Sequence, residues 1–227
     1  MEIRSAVALL ASDAIHVQLD NMYWRLCRGR SLEELWEEID PGRDPDDCIP
    51  YWTELWPSSL LLSAFLLANA REFSGKICID LGCGLGFTAL LGQLAGGRVI
   101  GMDNMREALQ LARRHAPANL APQPLWLCAD WREYPLRSHK AWRIWAADIV
   151  YEKRFTKPLL GFMVHALAPR GRVWIAEPGR AIFQQFLETA LESGWRARRR
   201  AVSPVASLYP QTAQSTVTIW EFSLSSS

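Results

Sequence analysis

The stretch Ile77-Cys78-Ile79-Asp80-Leu81-Gly82-Cys83-Gly84-Leu85-Gly86 decides the fold. A short apolar run ends in an acid, three glycines follow at alternate positions, and Phe87 to Leu94 then reads as a helix. That succession predicts a buried parallel strand, a tight turn and a helix. Glycines let a ligand approach the backbone, and the helix start adds orphan N–H donors and a positive dipole end. A dinucleotide turn needs G-x-G-x-x-G, but Phe87 stands where its third glycine would be, and Asp80 would repel a pyrophosphate. No G-x-x-x-x-G-K-[ST] is present, which excludes a P-loop. A phosphate-free ligand carrying an ammonium group suits the Asp80 carboxylate better.

Working outward, further runs end in acids. Arg98 to Asp103 reads as the second strand, with Asp103 a little over twenty residues past the turn, the offset at which an acid can chelate ribose hydroxyls. Asp103 could instead cap the helix that follows, or do both. Pro124 to Trp131 reads as the third strand with Asp130 at its carboxyl end, and Ala141 to Glu152 carries the fourth with Asp148. Arg172 to Ala176 is the fifth. Phe155 to Ala168 shows helical spacing stopped by Pro169 and Gly171, and Ala181 to Ser193 is a helix ended by Gly194. Trp195 to Val202 and Ser215 to Leu224 read as an antiparallel terminal pair. The whole predicts an α/β, Rossmann-like doubly wound sheet of seven strands, mostly parallel with an antiparallel C-terminal strand and helices on both faces. Ligands collect at strand carboxyl ends in such sheets, where Asp80, Asp103, Asp130 and Asp148 all fall.

Motif I of the class I, seven-strand methyltransferases, which bind S-adenosylmethionine (SAM), resembles the 77–86 stretch. A second stretch, Ile49-Pro50-Tyr51-Trp52-Thr53-Glu54-Leu55-Trp56-Pro57, resembles the P-[YF]-W-x-x-x-W-P segment of a narrower group: protein-lysine methyltransferases of this class, with bacterial relatives that modify electron-transfer flavoprotein or are labelled nicotinamide N-methylases. Asp148 and Tyr151 form D-x-x-Y, and Glu177-Pro178-Gly179-Arg180 resembles D-P-G-R with Glu for Asp. The resemblance spans about residues 49–224. It implies a SAM-dependent N-methyltransferase acting on a protein lysine, or alternatively on a small amine; a non-catalytic binding protein on the same fold is the third possibility. It implies cofactor contacts from Trp52, Glu54, Trp56, Asp80, Gly82, Cys83, Gly84, Gly86, Asp103, Asn104, Asp130, Trp131 and Ala147. Asp80 would serve the methionine amine, Asp103 the ribose and Asp130 the adenine, while Asp148 and Tyr151 shape the acceptor slot. Without the resemblance, Trp131 is as readily a core residue, and the alternative for the D-x-x-Y pair is Asp148 as a helix cap and Tyr151 as packing.

Residues 1–48 read as an N-terminal extension and 49–227 as the methyltransferase domain. Ala14 to Leu19 could be a strand, and Ser31-Leu32-Glu33-Glu34 opens a capping box for a helix through Ile39. The 227 residues carry a net charge of +1, so no global charge points to nucleic acid or membrane. Arg196, Arg198, Arg199 and Arg200 form the one dense basic run, a solvated strand edge or a surface for an acidic partner. Five scattered cysteines, an odd number, give neither a disulfide framework nor metal-ligand spacing, so no metal is expected. With no signal-like start and no membrane-length apolar run, the expectation is a cytoplasmic protein, monomeric by default.

Overall fold

The computed structural model describes residues 6–10, 14–27, 51–116, 122–206 and 214–224. The helix expected over 31–39, and Ile49 and Pro50, lie outside the described residues.

The described residues form two sheets. Strands β1 (Ala6–Leu10), β2 (Ala14–Leu19) and β3 (Met22–Cys27) form an antiparallel meander. The second sheet contains β4 (Ile77–Leu81), β5 (Arg98–Asp103), β6 (Leu125–Cys128), β7 (Ala141–Ala147), β8 (Leu167–Glu177), β9 (Trp195–Ala206) and β10 (Gln214–Leu224), in the order β6-β5-β4-β7-β8-β10-β9. The first five are parallel, and β10 runs antiparallel between β8 and β9. This is the predicted seven-strand architecture. β8 starts earlier than the predicted 172, because Ala141 pairs with Leu167 across an irregular register that resumes at Arg143 and Arg172.

Alternation along the strands divides the core into two layers. Cys78, Val99, Trp145, Trp174, Val217 and Ile219 face helices α1 (Pro57–Ala68) and α2 (Phe87–Leu94). Ile79, Met102, Ile144, Val173, Ile175 and Phe222 face α4 (Thr156–Ala166) and α5 (Ala181–Glu192). Helix α3 (Arg106–His115) follows β5 and packs against β3. The meander joins the first layer through Ile15, Val17, Leu19, Trp24 and Leu26, with Trp24 edge-on to Phe87 at 5.7 Å. His115 bridges the two sheets, its Nδ1 2.9 Å from the Leu85 carbonyl and its Nε2 3.1 Å from that of Cys27.

At the end of the sheet away from the strand carboxyl termini, half of the basic run is internally paired. Glu221 accepts from Trp174 Nε1 (2.9 Å), Arg198 (2.8 Å) and Arg200 (2.5 Å), and Glu72 pairs with Arg200 (2.6 Å) and Arg143 (3.0 Å). The run is therefore not simply a solvated edge, since Arg200 is an interior ligand of two acids.

The glycine turn is shaped by packing as well as by φ. Gly86, the N-cap of α2, has φ +77°, and a Cβ there would lie 2.6 Å from Ala112 Cβ and 2.7 Å from the Trp126 ring. A Cβ on Gly101 would also meet that ring at 2.6 Å, so one indole is seated over two glycines. Gly84, at φ +48°, would meet nothing closer than the Trp52 carbonyl at 3.5 Å. Overpacking plus a left-handed backbone makes Gly86→Ala cost about 3 kcal/mol in urea unfolding, against about 1 kcal/mol for Gly84→Ala, where only the backbone term applies.

Candidate active site

The carboxyl ends of β4, β5, β6, β7 and β8 finish at one level, and a single cavity opens above them. Its walls come from the glycine turn, the residues just past each strand, and the 3₁₀ turn Tyr51–Thr53 that leads into α1.

The glycine turn is stitched to the end of β5. Gly82 N and Cys83 N donate to the Met102 carbonyl at 2.9 and 3.0 Å, and Gly84 N donates to Asp103 Oδ2 at 2.8 Å. Asp103 Oδ1 accepts from Met105 N at 2.9 Å, so the acid also serves the approach to α3, the alternative role the sequence left open. Burial raises the Asp103 pKa, opposed by its backbone donors at Met105 and Gly84. Each oxygen has accepted one N–H and keeps capacity for another donor on the cavity side.

Asp130 caps the 3₁₀ turn Trp131–Glu133 by accepting from Arg132 N at 2.8 Å, and the Arg132 side chain returns to it at 2.7 and 2.6 Å. Burial pushes the Asp130 pKa up, but the Arg132 hydrogen bonds and charge outweigh it and hold the carboxyl below its usual range. Trp131 stands edge-on to Phe155 at 5.9 Å. Asp148 sits at φ +55° and takes a two-pronged grip from Arg180, Nε to Oδ1 at 2.5 Å and Nη2 to Oδ2 at 2.9 Å. Glu177 accepts from Gly179 N at 2.6 Å and from Trp220 Nε1 at 3.4 Å, which gives the acid of the Glu-Pro-Gly-Arg turn a local role. Trp56 Nε1 donates to the Tyr51 carbonyl at 3.0 Å, and the Tyr51 ring lies 5.2 Å from that of Tyr151. Trp56 is the N-cap of α1, with Pro57 at its first helical position, so neither Ser58 nor Ser59 caps the helix.

Trp52, Glu54, Trp56, Gly82, Cys83, Gly84, Asp103, Asn104, Asp130, Trp131, Ala147, Asp148 and Tyr151 all line this cavity. Two expected residues do not. Gly86 is occupied with Trp126 and the start of α2. Asp80 is 1% exposed and points between the sheet and α2, where Thr88 Oγ1 donates to it at 2.6 Å; Thr88, and not Asp80, forms the cavity wall at that level. The period-2 geometry of β4 turns this side chain into the helical layer, which sequence spacing alone did not reveal. Thr88, Arg132, Phe155 and Arg180 are lining residues that sequence reading did not assign. For Arg180 a signal existed in the Glu-Pro-Gly-Arg turn; for Arg132 none did.

The lining suits a polar heterocyclic ligand. The indole N–H groups of Trp52 and Trp131 are buried without a protein acceptor, and the Asp103 carboxylate retains accepting capacity beside glycine backbone. Those features fit a nucleoside, whose ring acceptors can meet the indoles and whose hydroxyls can donate to Asp103. Among the described residues, no group of three or more His, Cys, Asp or Glu could hold a metal ion, and no helix is long and apolar enough to cross a membrane.

Residues 78–171 match the model of a family described as a methyltransferase domain. The chain is 31% identical over 135 residues to a mouse protein named protein-lysine methyltransferase METTL21E, covering 54% of this chain and 52% of that protein. It is 28% identical over 138 residues to a zebrafish (Danio rerio) electron transfer flavoprotein beta subunit lysine methyltransferase, covering 60% and 52%. The chain thus spans about half the length of these curated relatives. In fold it is similar to the magnesium protoporphyrin IX methyltransferase of Synechocystis PCC 6803, solved with bound SAM, at a TM-score of 0.56 and 18% identity over 85% of this chain and 91% of that one.

Burial pushes the Asp80 pKa from its ordinary 3.8 up to about 7, against the lowering effect of Thr88. The folded state therefore holds a proton that the unfolded chain has lost, so this group's stabilisation is complete below pH 4 and is lost as pH rises toward 7. Urea unfolding of wild type and Asp80→Asn between pH 4.5 and 7.5 should show the wild type losing stability relative to the variant as pH rises.

Proposed function

We infer that this chain is a SAM-dependent N-methyltransferase whose acceptor is a lysine side chain of a protein. The observation that carries the reading is the cavity itself: side chains from the ends of successive parallel strands converge beside a glycine turn, and an aromatic entrance stands at its far side. The match to a methyltransferase-domain model over residues 78–171 and the relatives named as lysine methyltransferases support it.

Within that reading, Asp103 holds the ribose through its remaining acceptor sites, and the backbone of Gly82 and Gly84 allows close approach. Trp131 and Asp130 border the base, with Arg132 fixing the carboxylate. Thr88 and the glycine turn face the amino acid arm. When bound, SAM supplies a methyl group already activated by a sulfonium, so the protein's work is orientation and exclusion of water. Tyr51, Trp56 and Tyr151 provide a dry entrance whose aromatic faces also tolerate a cation. The attacking nitrogen must be neutral, and desolvation in such an entrance favours that form. Burial raises the Tyr151 pKa, so its phenol keeps its proton at neutral pH and can donate to or pack against the acceptor.

Titration calorimetry should show SAM binding to the wild type, and Asp103→Ala should weaken it at least tenfold, because both ribose acceptors go and the glycine turn loses its tie. With methyl-labelled SAM and a cell lysate, label should enter protein lysine. Label confined to small metabolites overturns the protein acceptor, and absence of SAM binding by the wild type overturns the enzyme.

A further inference from the structure

The acceptor end of the cavity carries a pair of opposite charges, and sequence reading singled out only the acid. Asp148 has a left-handed backbone, uncommon for a residue with a side chain, and its N–H donates to the Ala176 carbonyl at 2.8 Å. That conformation presents the carboxylate to the exit of β8. There the Glu177–Gly179 hydrogen bond closes the turn and aims Arg180, whose guanidinium takes both carboxylate oxygens and lies 5.8 Å from the Trp56 ring centroid. The Asp148 charge is thus already answered, and a permanent cation stands in the slot an amine must enter.

We propose that Arg180 is a positioning residue that selects the neutral form of the acceptor amine: by holding both oxygens of Asp148 it denies an ammonium its counter-ion and repels it. This deepens the reading of the site as an amine N-methyltransferase and rests on it. A guanidinium does not lose its proton at working pH, so the effect is constant where a lysine's would titrate. A unit cation a few ångströms away lowers an amine's pKa by about one unit or more at protein-surface dielectric, the paired carboxylate offsetting part of it. The other ionisable groups at this end are Tyr51, Tyr151, Glu54 and Glu177, with Asp103 and the paired Glu152 and Arg154 acting on Tyr151. Burial raises the Tyr151 pKa, and Glu177 is engaged by Gly179 N and Trp220 Nε1.

The test reads protonation preference without methyl transfer. n-Butylamine, whose ammonium has a lysine-like pKa near 10.4, is titrated into the full chain at pH 7 and pH 9 by ligand-observed NMR, with circular dichroism confirming the fold of each variant. Wild-type affinity should rise at least tenfold between the two pH values. Arg180→Gln frees the carboxylate, so it should bind the ammonium at pH 7 at least tenfold more tightly than wild type and lose most of the rise. Asp148→Asn should keep the rise, and it decides the matter alone if Arg180→Gln does not fold, because a carboxylate that binds ammonium directly would make this variant lose binding at pH 7. With a lysine substrate identified, the acid limb of the kcat profile, which reports groups in the enzyme–substrate complex, should move about one pH unit upward in Arg180→Gln. Equal wild-type affinity at both pH values, no gain in Arg180→Gln, or no amine binding at either pH overturns the proposal. A pH-dependent rise without transfer of label to any lysine overturns the lysine acceptor and leaves the role of Arg180 standing.

Discussion

The contact on which the site depends is the hydrogen bond from Gly84 N to the Asp103 carboxylate, with its neighbours from Gly82 N and Cys83 N to the Met102 carbonyl. A glycine turn has little side-chain packing of its own to fix it, so its shape must be imposed from outside. Here the end of the adjacent strand imposes it. The acid that offers acceptors to the cavity is the same one that holds the opposite wall in place, so binding surface and scaffold share one side chain. His115 adds a second fastening from behind, between the Leu85 carbonyl and the end of β3.

Charge is handled economically around this frame. Asp130 and Asp148 each face an arginine that follows them in the chain, two and thirty-two residues later, and Asp103 is met by two backbone N–H groups. None is left as a bare buried carboxylate, which would be costly in a cavity walled by indole and phenol rings. Asp80 solves the same problem differently. Sealed under α2 beside Thr88, it moves toward the protonated state instead of finding a cation. Four acids read from one sequence pattern therefore meet three different electrostatic fates.

The succession of strands and the convergence of Asp103, Asp130 and Asp148 were legible because apolar runs, glycines and terminal acids recur with the period of a parallel α/β unit. Side-chain direction was not. Asp80 and Asp103 look alike in sequence, each closing an apolar run, yet one points beneath a helix and the other into the cavity. Gly86 looked like a ligand glycine and is a socket for Trp126, a contact set by packing between β6 and α2. Arg132 gave no signal as a site residue, and Arg180 only its place in the Glu-Pro-Gly-Arg turn, because an arginine's role depends on which carboxylate its long side chain reaches. The basic run at 196–200 misled for the same reason, since the acids that bind it, Glu72 and Glu221, lie far away in sequence.

The insertion of β10 between β8 and β9 has a consequence for how the chain is made. During synthesis β4, β5, β6, β7 and β8 leave the ribosome in an order that lets each join a neighbour already present, but β9 emerges with nowhere to dock. Until residues 214–224 follow, Trp174, Arg198 and Arg200 lack Glu221, and one edge of the nascent sheet stays open. Closure of that edge is therefore a late event, and the half-built protein is most exposed to chaperones and to self-association in the interval just before it.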